Sequence, residues 1–278
     1  MTTVAEALRD AAERLAAVTD TARLDAEVLM AEALGVSRSD MLLRRMSDPA
    51  PDLFEALVAR RLRHEPVAQI LGRKEFYGRE FRVCPDVLTP RADSEATVAA
   101  ALEVCPANAR VLDCGTGSGA LLLTLLAELP GASGAGTDRS AAALAVAADN
   151  ASRLGLTART ELRLADWDEP GWRDGLGRFD CIIANPPYVE TTIELPSSVR
   201  DYEPPGALYA GPEGLDAYRV LIPQLPSLLA PGGAAVLEIG AGQADAVARI
   251  AAKAGFRSEL RHDLGGRPRA LILRLGLV

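Results

Sequence analysis

Residues 110–129, RVLDCGTGSGALLLTLLAEL, run from a short apolar stretch through a glycine-rich turn into a long leucine-rich stretch. The apolar start predicts a strand, and ALLLTLLAEL predicts the helix that the turn opens into. Gly115, Gly117 and Gly119, with Thr116 and Ser118 between them, form that turn. Glycine there lets the backbone approach a ligand closely, with a helix N-terminus behind it.

The same rhythm continues on the C-terminal side. SGAGTD (133–138) and AALAVAADNASRLG (142–155) read as a strand and a helix, and TELRLAD (160–166), FDCIIAN (179–185) and GAAVLEIG (233–240) as further strands. The helix QADAVARIAAKAG (243–255) follows, and PRALILRLGLV (268–278) closes the chain as a last strand. Strands alternating with helices predict an α/β fold with a mostly parallel, doubly wound, Rossmann-like sheet. Upstream, VAEALRDAAERLAA (4–17) and ARLDAEVLMAEALG (22–35) carry apolar residues at helical spacing, and Gly35 reads as a helix stop. PAPDLFEALVARRLRHEP (49–66) is a further amphipathic helix limited by Pro66. The expected division is a helical bundle over 1–72, a hairpin linker over 73–86 broken by Gly78, and an α/β domain over 87–278.

Composition narrows the class. Hydrophobic residues at 49% and charged residues at 24% provide for a buried core and exclude a disordered chain. The first residues lack a signal peptide's apolar core, and no apolar run reaches membrane-spanning length, so a soluble, cytoplasmic protein is expected. The formal charge of −8 argues against general affinity for nucleic-acid backbone. Cys84, Cys105, Cys114 and Cys181 stand far apart and only two histidines occur, so no metal site is expected and the thiols read as buried and reduced.

Candidate site residues gather where strands end. Asp138 closes its strand 19 residues after Gly119, where a carboxylate can accept two ribose hydroxyls. Read as Gly115-x-Gly117-x-x-Ala120, the turn also satisfies a dinucleotide fingerprint, so alone it does not separate nicotinamide from S-adenosylmethionine (SAM). Asp113 before the turn, placed for a cofactor ammonium or a water, and Asp166 with Trp167 after the third strand, placed for an adenine, favour SAM.

The fourth strand ends in Asn185-Pro186-Pro187-Tyr188. Two prolines stiffen the turn. The Asn185 side-chain carbonyl and the Pro186 backbone carbonyl offer two acceptors to one NH2 group, and Tyr188 offers a flat face to a planar one. An amide nitrogen is a poor nucleophile because its lone pair is drawn into the carbonyl. Holding both of its N–H bonds orients that lone pair and stabilises the positive charge that develops during methylation.

These motifs resemble the release-factor glutamine methyltransferases, the PrmC/HemK family, over nearly the whole chain. ARLDAEVLMAEALGVSRSDML and EPVAQILGRKEFYGREF are similar to that family's N-terminal region. LTPRADSE, LDCGTGSGA, ANPPYV, YEPPGALYAGPEGLDAYR, LEIGAGQ and DLGGRPRALI follow in family order. The chain departs from the usual pattern at Gln69, Thr89, Ala92, Ser94 and Cys114. The resemblance implies methyl transfer from SAM to the glutamine side chain of the Gly-Gly-Gln motif in peptide-chain release factors. It implies that Asn185, Pro186, Pro187 and Tyr188 bind the glutamine amide, with Asn185, Pro186 and Tyr188 catalytic. Asp113, Gly115 to Gly119, Asp138, Asp166, Trp167 and Asn185 would hold SAM. The N-terminal helices would grip the release factor. Apart from the resemblance, a monomer is expected, and the charge of −8 and the lack of a membrane-length apolar run lead to the expectation that it binds neither DNA nor membrane. The rival readings are a paralogue acting on another protein or small-molecule amide, a DNA amino-methyltransferase acting on a flipped base, and a SAM-binding regulator without catalysis, against which the intact Asn185 and Tyr188 speak.

Overall fold

The computed structural model describes residues 2–276, so the last two residues of the expected final strand lie outside the described residues. The chain divides into two compact units, residues 1–73 with 195–202 and residues 74–194 with 203–278.

The first unit is helical: α1 (Val4–Leu15), α2 (Ala22–Leu34), α3 (Arg38–Asp40) running into a wider turn at Met41–Arg45, α4 (Asp52–Leu62) and α5 (Val67–Leu71). Thr3 starts α1 with a capping box. Its hydroxyl accepts from the Glu6 N–H, and its own N–H donates to the Glu6 carboxylate at 2.9 Å. Gly35 stops α2 at φ +66°, as its sequence position predicts. Leu8, Leu15, Leu29, Met30, Met41 and Val58 fill the centre. Between α2 and α4 the buried Asp25 and Arg61 pair at 2.7 Å. Within this unit Gln69 donates to the Tyr202 carbonyl, and the Tyr202 hydroxyl donates to the Arg63 carbonyl at 2.7 Å. These bonds tie α9 (Ser197–Arg200) and its flanks to residues more than a hundred positions earlier.

A hairpin follows, β1 (Arg73–Phe76) and β2 (Arg79–Arg82), turning at Tyr77 and Gly78, which both have positive φ. Phe76 and Phe81 pack into the core of the second unit.

That unit contains α6 (Glu95–Val104), β3 (Arg110–Cys114), α7 (Ala120–Glu128), β4 (Ser133–Asp138), α8 (Ala141–Arg153), β5 (Thr160–Leu164) and β6 (Phe179–Ala184). After these come α10 (Asp216–Leu221), α11 (Leu225–Leu228), β7 (Leu229–Glu238), α12 (Ala244–Lys253), β8 (Phe256–His262) and β9 (Pro268–Leu275). The strands form one seven-stranded sheet in the order β5-β4-β3-β6-β7-β9-β8. The first five run parallel, while β9 pairs antiparallel with β7 and β8. Alternate residues feed opposite cores. Val111 and Ile183 meet α6 and α7 on one face, whereas Leu112 and Ile182 meet the side of α10, α11 and α12 on the other. The expected mostly parallel, doubly wound sheet is therefore present. Sequence reading assigned no strand to 256–262. As the outermost strand, β8 leaves most of its side chains wholly or partly exposed, so FRSELRH lacks the apolar pattern of a buried strand.

Candidate active site

The parallel strands β3 to β7 all finish at one edge of the sheet, where open α/β folds bind ligands. There β3 gives way to the glycine turn and β6 to Asn185-Pro186-Pro187, and these strands are neighbours, with Cys114 opposite Ala184. The turn is held by its own backbone. The N–H groups of Gly115 and Thr116 both donate to the Thr137 carbonyl, at 2.8 and 2.9 Å. Gly115, Gly117 and Gly119 adopt φ of +77°, +54° and +81°, which side chains rarely allow. A Cβ on Gly115 would lie 3.1 Å from the Trp167 ring, so the indole sits directly against the turn. A Cβ on Gly119 would meet Leu123 at 2.8 Å, so that glycine serves close packing of α7.

A cavity of about 470 Å³ opens at this edge. Its wall includes Asp113, Gly115, Thr116, Gly117, Ser118, Asp138, Asp166, Trp167, Asn185 and Pro187. Gly119, Pro186 and Tyr188 are not in the wall. Pro186 is buried, and the half-buried Tyr188 packs against the hydrophobic core. Burial, with the nearby Glu238 charge, pushes the Tyr188 phenol up to about 12. The Tyr188 carbonyl accepts from Gln243 Nε2 at 3.1 Å, which fixes the loop beyond the prolines. Nothing among the described residues hydrogen-bonds the Asn185 side-chain amide.

The acids differ in their engagements. Asp113 is 1% exposed, and burial raises its carboxyl to about 7, with Asp138 adding repulsion. Its Oδ2 accepts from Thr116 Oγ1 at 2.7 Å, but its Oδ1 has no partner. Asp166 Oδ1 accepts the Asp168 N–H at 3.0 Å, and the Trp167 carbonyl accepts from Gln224 at 3.1 Å. The residues fit SAM. An orphaned buried carboxylate oxygen suits a cationic group, and an indole and two further carboxylates share the cavity wall with it.

Two features escaped sequence reading. Glu238 ends β7 next to the Asn185 turn. Like Asp138 at the end of β4, it is an acid that closes a parallel strand at this edge, a signal present in the sequence. Arg91 also lines the cavity, and its Nη2 donates to both carboxylate oxygens of Glu203, at 2.8 and 2.6 Å. The two residues stand 112 positions apart, and local pattern carries no sign of the pairing. Two of the four thiols, Cys84 and Cys105, are only half-buried, against the expectation of burial. Among the described residues no cluster of His, Cys, Asp or Glu could hold a metal, and no helix is long and apolar enough to cross a membrane.

Sheet order, glycine turn and acid-edged cavity together define a SAM-dependent methyltransferase. The chain is 45% identical to the release factor glutamine methyltransferase of Cereibacter sphaeroides, covering 98% of each chain, and 42% identical to that of Moorella thermoacetica, covering 97% of this chain and 98% of the relative. It belongs to the family of release factor glutamine methyltransferases. Residues 6–72 match the family described as PrmC N-terminal domain, and residues 106–234 match a methyltransferase domain. The fold is also that of a ribosomal protein L11 methylase from Lactobacillus delbrueckii, with a TM-score of 0.52 at 22% identity over 69% of this chain and 82% of that one.

Proposed function

We propose that this chain, acting as a cytoplasmic monomer, methylates the side-chain amide nitrogen of the glutamine in the Gly-Gly-Gln motif of peptide-chain release factors. The observation that carries the reading is the register of β3 and β6. The glycine turn and the Asn-Pro-Pro turn leave adjacent strands at the paired residues Cys114 and Ala184, and both border one cavity. A donor held by the first turn and an amide held by the second therefore share a wall.

SAM supplies an electrophilic methyl group on a sulfonium. Asp138 takes its ribose hydroxyls, Asp113 its cationic amino-acid end, and Trp167 with Asp166 its adenine. Asn185 Oδ1 and the Pro186 carbonyl accept the two N–H bonds of the substrate amide. That arrangement turns the nitrogen lone pair toward the methyl group and opposes the positive charge growing on nitrogen. Rigidity matters because a misplacement of an ångström weakens such alignment, and the two prolines supply it. Tyr188 braces the turn from the core side. The helical unit, residues 1–72 in the sequence division, recognises the release factor. Its sequence has no glycine turn, and its apolar stripes are spent on its own core.

The test is incubation with methyl-labelled SAM and a release factor, followed by mass-spectrometric mapping. Label on the glutamine of Gly-Gly-Gln is the expected result. Label elsewhere, or none, overturns the proposal.

A further inference from the structure

Glu238 is a buried acid without an ion pair. It is 1% exposed, yet among the described residues no basic nitrogen lies within ion-pairing distance of it. The nearby Arg269 gives Nη2 to Asp93 at 2.9 Å and Nη1 to the Ile239 carbonyl at 3.4 Å, while its buried Nε has no hydrogen-bond partner and does not reach Glu238. What Glu238 does have are hydroxyls. Thr97 Oγ1 donates to its Oε2 at 3.4 Å, and the Ser94 hydroxyl lies against the same carboxylate and helps to steady its charged form. An unpaired buried carboxylate is costly to keep, so its position asks for a reason.

That position is beside the reacting amide's cradle. In the β6–β7 register Ala184 pairs with Leu237, so Asn185 and Glu238 leave adjacent strands side by side. Glu238 itself is not in the cavity wall, but Ser94 is. Ser94 thus borders the cavity and also interacts with the carboxylate. Resting on the methyl-transfer reading above, we propose that Glu238 is the proton sink of the site, reached through Ser94.

Methyl transfer forms an N–C bond and breaks a C–S bond, whose electron pair stays on sulfur. The amide nitrogen then carries a methyl group, two hydrogens and a positive charge, and must lose one proton. Ser94 Oγ accepts that proton while passing its own to Glu238, which ends as a neutral carboxylic acid. The acid later returns the proton to water. A carboxylate with an ordinary low pKa would hold a proton poorly, whereas burial raises Glu238 to about 7, so it can take one up and give it back near neutrality.

The groups facing Glu238 must be separated from it in any titration. Arg269 favours its charged form, Asp93 opposes it, and the phenols of Tyr188 and Tyr218 titrate far above it. Asp113 also titrates near 7, but it belongs to cofactor binding and drops out at saturating SAM.

The experiment compares wild type, Glu238→Gln, Ser94→Ala and Ser94→Thr. At saturating SAM, wild-type kcat on a release factor should rise with pH through the titration of Glu238. In Glu238→Gln and Ser94→Ala, kcat should fall by about 10²-fold with KM little changed, and Glu238→Gln should lose the pH-dependent rise. Ser94→Thr, which keeps the hydroxyl, should recover most of the rate. In the ligand-free proteins, the infrared carboxylic-acid band that fades in wild type near neutral pH should be diminished in Glu238→Gln, with the share due to Asp113 remaining. A pH-dependent rise that survives in Glu238→Gln, or full activity in Ser94→Ala, overturns the proposal. So does an infrared titration identical in the two proteins, a readout that stands even if the wild type methylates no release factor.

Discussion

Asp138 holds the glycine turn: its Oδ2 accepts the Gly117 N–H at 2.9 Å, while its Oδ1 accepts the Ser140 N–H at 2.9 Å. The acid proposed to take the ribose is already a strut between the turn and the start of α8. Asp138→Ala should therefore weaken SAM binding by ~1.5–3 kcal/mol, the range for a hydrogen bond to a charged group. Calorimetry measures this directly, and unchanged affinity removes Asp138 from the site.

Gly115→Ala should block the cavity. The added methyl meets the Trp167 ring at 3.1 Å, in a left-handed backbone conformation that costs a residue with a side chain about 1–2 kcal/mol. SAM binding should be severely weakened, and circular dichroism should show the fold intact. Normal SAM affinity in this variant would place the ligand away from the turn.

The Asn185→Ala variant tests the amide cradle. Losing one preorganised polar contact to a transition state costs roughly 10²-fold or more in turnover. SAM affinity should change far less, because the glycine turn, Asp138 and Trp167 remain. Near-normal turnover would reduce the Asn-Pro-Pro segment to a stiff turn.

Asp113 makes SAM binding pH-dependent. Burial holds its pKa at about 7 in the free protein, and a cationic ligand favours the ionised form. Affinity should rise as pH rises through about 7, with proton release below it, detectable by calorimetry in buffers of differing ionisation enthalpy. The stability sign is the opposite of the usual carboxylate case. The folded state binds the extra proton between the unfolded pKa of about 3.8 and about 7, so this group's contribution to stability declines as pH rises across that window. Asp113→Asn should flatten both dependences.

Arg91→Ala leaves the Glu203 carboxylate, whose side chain is fully buried, without its cation. Breaking such a pair costs several kcal/mol when both partners are buried; Arg91 is half-exposed, so about 1–3 kcal/mol is expected. Burial already raises the Glu203 pKa, and losing Arg91 raises it further. The variant's deficit should shrink as pH falls and Glu203 becomes neutral. Thermal melts across pH check this, and a deficit independent of pH would mean that the ion pair is not its cause.

The sequence by itself determined the elements whose signals are local. Apolar runs broken by glycine mark β3 and α7, and Gly35 stops α2 because a left-handed residue closes a helix whatever surrounds it. Asp113, Asp138, Asp166 and Asn185, at or within two positions of strand ends, identify the ligand edge, because parallel strands must all finish on the same side. Tertiary structure decided what depends on meetings between distant segments. The antiparallel β8 is one case, since an exposed outer strand carries no apolar alternation. Another is segment 195–202, which joins the helical unit through Tyr202. The Arg91–Glu203 pair and the unpaired Glu238 beside Asn185 are of the same kind. The charge of a buried carboxylate follows from which side chains surround it, and only the folded chain brings those side chains together.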